Sequence, residues 1–195
     1  MVELSSLWLP IVLSAVTIFI VSAMFWMVFP HHKGDYKKLP NEDGFIGALR
    51  PMNIPTGLYA FPHMADCNKM KDDPTIKAKF EDGPLGILHV WSPNAMKNMG
   101  SNMALSLVFY LVTSVFVAYV ATLALSASAN YLDVFQVTGT AAIMAYCFAS
   151  IPQAIWFGTP LRNVIACVFD GIVYGLLTAG FFGWLWPKVA TIVNL

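Results

Sequence analysis

Charged residues are scarce in this sequence. Lys, Arg, Asp and Glu together make up 11% of the 195 residues, whereas about a quarter is usual in a soluble domain. The mean hydropathy is +0.64 and the formal net charge is zero. The low charge argues against an ordinary soluble domain, and the zero net charge leaves no basic field to attract nucleic acid.

Cysteine and histidine are also few. Cys67, Cys147 and Cys167 cannot all pair, and two of them lie in apolar runs, so no disulfide framework is predicted. None of the four histidines lies in an apolar run, which argues against haem or chlorophyll held at membrane depth by an axial histidine. No cofactor is predicted. A pigment bound at the interface by His31 or His32 stays open, as does contact with a lipid.

The soluble part offers one weak metal-binding pattern. His63 and Cys67 are spaced at i, i+4 and could share a helix face. The paired CxxC or HExxH spacing that makes such a pattern specific is missing. We therefore interpret these residues as solvated loop residues and predict no metal site.

Catalytic signatures are missing as well. The sequence contains no Gly-rich phosphate loop and no GxSxG motif, and Ser, His and Asp do not occur in a triad order within a folded soluble region. The repeated pairs of interrupted helices found in many transporters are also absent from the sequence, and Pro152 is the only interruption predicted in the apolar runs. We predict that the chain is not an enzyme and has no catalytic residues.

Four apolar runs are each long enough to cross a bilayer as a helix, which takes about 20 residues. They cover residues 7–29, 103–125, 134–156 and 163–186. The first run lacks the basic start and the cleavage site of a signal peptide, so we expect it to stay in the membrane. Pro152 should kink the third run near one end. The sequence predicts an all-α fold, a single membrane domain over residues 1–195 with four transmembrane helices.

Basic residues are segregated to one side of this predicted bundle. With four spans, the long loop over residues 30–102 and the turn before Arg162 share one side, and both termini share the other. The first side carries ten Lys and Arg residues and the second carries only Lys188. Because basic loops tend to stay in the cytoplasm, we expect a cytoplasmic loop and periplasmic termini.

The long loop has signals for short helices but too few apolar residues for a core of its own. Pro40-Asn41-Glu42-Asp43, followed by the apolar residues Phe45, Ile46 and Leu49, predicts a capped short helix that Pro51 stops. Asp73-Pro74 predicts a second helix over residues 75–80.

The end of the loop should lead directly into the second span. Residues 87–91 could form a strand. Ser92-Pro93 then predicts the start of an amphipathic helix. Its methionines on one face are Met96, Met99 and Met103.

The fourth span carries a stripe of small residues. They recur every four residues and are Gly171, Gly175, Ala179 and Gly183. Small residues on one face let transmembrane helices approach closely, so this stripe predicts a tight helix–helix seam. Whether the seam lies inside the chain or faces another protein stays open.

Asp170 is the only acidic residue inside a predicted span. A charge there costs about 3 kcal/mol or more unless it is partnered or neutral, so it should face the bundle. Its candidate polar neighbours are Tyr174, Gln153, Ser150, Arg162 and Asn163. Asp170 could handle a proton or cation, or it could lock helices together by hydrogen bonds. A lone acid makes a poor relay, which favours the second interpretation.

Two stretches carry a family resemblance. Residues 35–43 (DYKKLPNED) follow the first span, and residues 169–187 run from FDGIVY to GWLWP. They resemble a family of small uncharacterised four-helix bacterial inner-membrane proteins. The resemblance implies a multi-pass protein of the bacterial inner membrane and implies no activity.

Two functional hypotheses follow. The first is a non-enzymatic accessory or structural subunit of a larger bacterial membrane complex, such as a respiratory or photosynthetic one. Its partners would be lipids and other membrane subunits, with no nucleic acid. The second is a small oligomeric transporter or proton-coupled carrier that uses Asp170. The small-residue stripe separates them. Coverage by a partner favours the subunit, whereas packing inside the chain beside a wet Asp170 cavity favours the carrier.

Overall fold

The computed structural model describes residues 2–63, 73–95 and 97–187. In chain order the helices and strands are α1 (Trp8–Met27), α2 (Glu42–Leu49), β1 (Gly57–Phe61), α3 (Pro74–Asp82), β2 (Gly86–Val90), α4 (Met99–Ala124), α5 (Tyr131–Cys147), α6 (Ile151–Phe157) and α7 (Leu161–Trp184). Within these described ranges, four helical segments are long and apolar enough to cross a membrane: α1, α4, α5 with α6, and α7. The chain is a multi-pass membrane protein, as its hydropathy predicts.

The third span is interrupted where proline predicts. A 3₁₀ turn over Phe148–Ser150 separates α5 from α6. Pro152 has no N–H to donate to the Phe148 carbonyl, and its ring would crowd that carbonyl in a regular helix. The interruption therefore lies one turn before the proline.

The start of the third span differs from the prediction. The Asn130 side chain accepts a hydrogen bond from the Asp133 backbone N–H at 3.0 Å, so α5 begins at Tyr131 instead of at residue 134. This N-cap brings Asp133 into the first turn of α5, where it is exposed. Asp170 is therefore not the only acidic residue in the four membrane-spanning segments that the structure describes, but it is the only buried one.

Residues Lys38–Met99 form a separate compact unit, and both short helices predicted in it are confirmed. The Asn41 side chain accepts from Gly44 N–H at 3.0 Å and caps α2. The Asp73 side chain accepts from Thr75 N–H at 2.9 Å and caps α3.

The rest of this unit departs from the helical prediction. The strand expected near residue 87 is β2, which pairs antiparallel with β1, a strand that the sequence analysis did not predict. The prediction of an amphipathic helix that starts at Ser92-Pro93 is wrong. The Ala95 N–H bonds the Ser92 carbonyl in a turn, and α4 begins only at Met99. Met96 lies outside the described residues.

The small-residue stripe is internal, because it packs against α5. A Cβ added to Gly171 would lie 2.5 Å from Cys147 Sγ, and one added to Gly183 would lie 2.7 Å from the Tyr131 ring. At Gly175 the added atom would meet the Ile143 side chain and would lie 3.1 Å from the Ile143 backbone nitrogen. The predicted seam is therefore the α5–α7 interface.

Small residues face each other across the middle of this seam. A Cβ added to Gly139 of α5 would lie 3.1 Å from the Ala179 Cβ of α7. Such close approach supplies dispersion contacts, which drive helix association where lipid removes the hydrophobic effect.

The bundle interior has an apolar half and a polar half. At the end where α7 finishes, the core is aliphatic and aromatic: Leu7, Ile11, Val117, Ala118, Val134, Ala142 and Phe182. Toward the end where α1 finishes, it contains Tyr110 and Tyr174 with several hydroxyl side chains. The polar half leads to the site.

Candidate histidine–aspartate site

Two adjacent histidines lie in the turn that ends α1. Pro30 cannot donate a backbone hydrogen bond, so it stops the helix and opens a 3₁₀ turn over Pro30–His32. The backbone N–H groups of Val28 and Phe29 both bond the Met24 carbonyl, which closes the last turn of α1. The chain then doubles back against α7.

Asp170 of α7 lies between these two histidines. Its Oδ1 is 2.8 Å from His31 Nε2, and its Oδ2 is 2.8 Å from His32 Nε2. The Tyr174 hydroxyl, one turn along α7, donates to Oδ2 at 3.4 Å. Asp170 is 4% exposed and His32 is 5% exposed, whereas the His31 side chain retains 27% exposure. The carboxylate is therefore buried, and His31 lies on its open side.

A second carboxylate stands behind His32. Asp35 Oδ2 is 2.6 Å from His32 Nδ1, so both ring nitrogens of His32 face carboxylate oxygens. Burial lowers the pKa of His32, but hydrogen bonds with and attraction to Asp35 and Asp170 outweigh that effect and raise the pKa above its ordinary value. These contacts favour the protonated ring more than in a free histidine, and in that form both ring nitrogens donate to the acids.

Side chains from the start of α7 fix this turn. Arg162 donates to the His31 carbonyl at 3.3 Å, and Asn163 donates to the Asp35 carbonyl at 3.1 Å. Trp26 stacks on the His32 ring with a centroid distance of 3.9 Å and an interplanar angle of 5°. These contacts orient the imidazoles before any ligand arrives.

The site has more negative than positive charge. Asp35 and Asp170 are both buried, and within the described ranges neither forms an ion pair with a Lys or Arg side chain. The Asp35 side chain is only 6% exposed. Its Oδ1 atom is buried and has no hydrogen-bond partner among the described residues. Uncompensated buried charge is costly, so the site is suited to a bound cation.

Hydroxyl groups continue from the site into the bundle. The Tyr110 hydroxyl donates to Ser22 at 2.8 Å, and the rings of Tyr110 and Tyr146 both pack edge-on against Tyr174. The Tyr146 hydroxyl is buried without a partner among the described residues. Thr178 lies two turns beyond Asp170, roughly 12 Å along the helix axis, so buried polar side chains extend about three quarters of the way along α7.

The observed partners of Asp170 are mostly not the expected ones. Tyr174 is close, as predicted. Gln153, however, is exposed on α6, and Ser150 donates to the Cys147 carbonyl. Arg162 and Asn163 hold the histidine turn instead of the carboxylate.

The histidine pair was missed as a partner because the candidate neighbours of Asp170 were taken only from the third span and from the start and interior of the fourth. His31 and His32 directly follow the first span, and an even number of crossings places them on the side where the fourth span starts. That adjacency was a usable signal. Of the weak His63–Cys67 pattern, Cys67 lies outside the described residues.

No protein-family model, curated protein or solved structure matches this chain.

Proposed function

We propose that this chain is a small cation carrier of the membrane, working as an oligomer, with Asp170 at its binding site. The observation that carries the proposal is the position of Asp170 between His31 and His32. The argument against a carrier was that Asp170 lacks an ionisable partner, and two histidines and a second carboxylate now remove it. The α5–α7 seam is internal, which is one of the two features expected of a carrier.

The two halves of the interior fit one closed state of such a carrier. Partly exposed His31 gives entry from the side where α1 ends. Hydroxyls of Tyr174, Ser22 and Tyr110 extend the polar path inward. The apolar core around Phe182 then closes the opposite side, so release there requires a change in helix packing.

Flux measurements test the carrier. Full-length protein is reconstituted into liposomes loaded with pH-, sodium- or manganese-sensitive dyes. We expect uptake of one of these cations, and we expect Asp170→Asn to lower it about tenfold or more, because the amide keeps the shape but removes a ligand charge. Asp133→Asn is the matched control, since Asp133 is exposed on α5. Uptake of none of the three cations above empty liposomes would reject the carrier.

An accessory subunit is the second candidate, and a surface feature of α4 favours it. One face presents large exposed side chains at alternating spacings of four and three residues: Leu105, Phe109, Val112, Phe116, Tyr119 and Leu123. This spacing suits pairing with another helix. A stoichiometric membrane partner in a gentle-detergent pull-down, released by Phe116→Ala, would support the subunit, whereas recovery of the chain alone would oppose it.

We also propose the location of the protein. The resemblance of residues 35–43 and 169–187 favours the bacterial inner membrane, and the basic loop favours cytoplasmic exposure of Lys38–Met99 with periplasmic termini. Alkaline phosphatase fused after residue 187 should be active and fused after residue 60 should be inactive. The reverse pattern would invert the orientation.

A further inference from the structure

We infer that His31, His32 and Asp170 form a binding site for a divalent first-row transition-metal ion. The inference rests on the proposed function in that it names the cation of the same site. The two histidines offer Nε2 and Asp170 offers a carboxylate oxygen, and these ligand atoms lie within 4.8 Å of one another. Ligands of one metal ion at about 2.0–2.2 Å lie roughly 3–3.5 Å apart, so only small side-chain movements are required.

The donor set selects the class of metal. Two imidazole nitrogens and one carboxylate oxygen suit iron, manganese, cobalt or zinc, whereas Mg²⁺ and Ca²⁺ prefer oxygen ligands alone. Three protein ligands also leave coordination positions open. Partly exposed His31 marks the side from which the ion enters.

Charge balance selects a divalent ion. Asp35 and Asp170 supply two buried negative charges, and within the described part of the chain no Lys or Arg side chain pairs with them. Two neutral imidazoles and one divalent cation make the site neutral overall. The buried Asp35 Oδ1, which has no partner there, is a second sign of unmatched negative charge.

Asp35 lies where it can orient the His32 ring without binding the metal ion itself. Its Oδ2 lies 2.6 Å from His32 Nδ1, on the opposite side of the ring from Asp170. A carboxylate that accepts the Nδ1–H fixes the tautomer whose Nε2 lone pair binds metal, and it makes that nitrogen a better ligand. Asn163 holds the Asp35 backbone through its carbonyl at 3.1 Å.

Equilibrium dialysis followed by elemental analysis tests the site. Purified full-length protein in detergent is stripped with a chelator and dialysed against Mn²⁺, Co²⁺ or Zn²⁺, with Mg²⁺ as the hard-cation comparison. We expect one transition-metal ion per chain and no competition by Mg²⁺. Co²⁺ should give visible absorption bands typical of nitrogen and oxygen coordination.

Variants separate the ligands from other histidines. His31→Gln removes a partly exposed ligand and should abolish stoichiometric binding. Asp35→Asn should weaken binding about 10–100-fold. His63→Ala is the control, because His63 is exposed in the unit Lys38–Met99, and this variant should bind metal as the unchanged chain does. Circular dichroism and thermal melting check that each variant is folded.

The outcomes distinguish this inference from the carrier proposal. Substoichiometric binding of all three transition-metal ions, or equal binding by folded His31→Gln, would overturn the metal site. Stoichiometric binding without flux would support the metal site and reject the carrier. Proton or sodium uptake without metal binding would support the carrier and reject the metal site.

Discussion

Gly175→Ala should destabilise the folded bundle by about 1–3 kcal/mol, the usual cost of overpacking a close contact. The new Cβ would meet the Ile143 side chain and would lie 3.1 Å from the Ile143 nitrogen and 3.3 Å from its Cα. A side chain can rotate away, but the backbone of α5 can yield only if the two helices separate. Separation would loosen the longest seam in the bundle, so we expect a lower melting temperature in detergent.

Gly180→Ala on the same helix is the matched control. A Cβ at Gly180 would have no heavy atom within 4 Å. Alanine favours a helix over glycine by up to about 1 kcal/mol, so this variant should be as stable as the original chain or slightly more stable. Equal melting temperatures for the two variants would show that α5 and α7 do not approach as closely as described.

The sequence was sufficient for the spans because apolar length depends on no tertiary contact. The packing face of α7 was recognised for the same reason, since Gly171 and its equivalents lie on one face at a fixed spacing of four residues. The sequence left the partner helix undetermined, because small residues permit close approach by any helix. Gly139 opposite Ala179 identifies α5, and that pairing depends on the relative depth of two helices.

The compact unit Lys38–Met99 shows where local sequence signals fail to predict structure. The caps of α2 and α3 act within three residues, so Asn41 and Asp73 predicted them correctly. β1 is stabilised by pairing with β2, about 30 residues farther along the chain, and nothing local marks that pairing. After Ser92-Pro93 the chain forms a turn instead of the expected helix, and the Ala95 N–H donates to the Ser92 carbonyl in this turn.

The site was half visible in the sequence. Asp170 was identified because a buried acid in an apolar run is costly. His31 and His32 lie outside the apolar run, and their contact with Asp170 depends on how deep α7 places the carboxylate relative to the end of α1. Periodicity gives the face of a helix, but it gives no relative depth between helices. Asp35 was seen only as part of a family-like stretch, with no link to His32.

Asp170→Ala should produce the largest loss of stability among side-chain changes at the site. Removing the carboxylate leaves the Nε2 atoms of His31 and His32 without their acceptor, while Asp35 keeps one side of His32 polarised. Breaking a buried ion pair by removing one partner costs about 3–5 kcal/mol. We expect a clearly lower melting temperature in metal-free detergent solution, measured with chelator present.

Asp133→Ala is the control, because Asp133 is an exposed aspartate in the first turn of α5, and its removal should change stability little. In a double-mutant cycle, Asp170→Ala and His32→Ala should be non-additive by about 0.5–3 kcal/mol, since each removes the same contact. Equal melting temperatures for Asp170→Ala and Asp133→Ala would contradict the view that this contact ties the end of α1 to α7.

A second substitution at this position, Asp170→Asn, separates the structural interpretation of Asp170 from the functional one. If the aspartate only locks helices together, Asp170→Asn should retain part of the stability, and folded Asp170→Asn protein should bind metal and carry cations as the unchanged chain does. If the site acts on a cation, folded Asp170→Asn protein should lose both, because an amide oxygen carries no charge to balance the ion. If a stable Asp170→Asn variant has unchanged metal binding and flux, the role of Asp170 is only to hold helices together by hydrogen bonds.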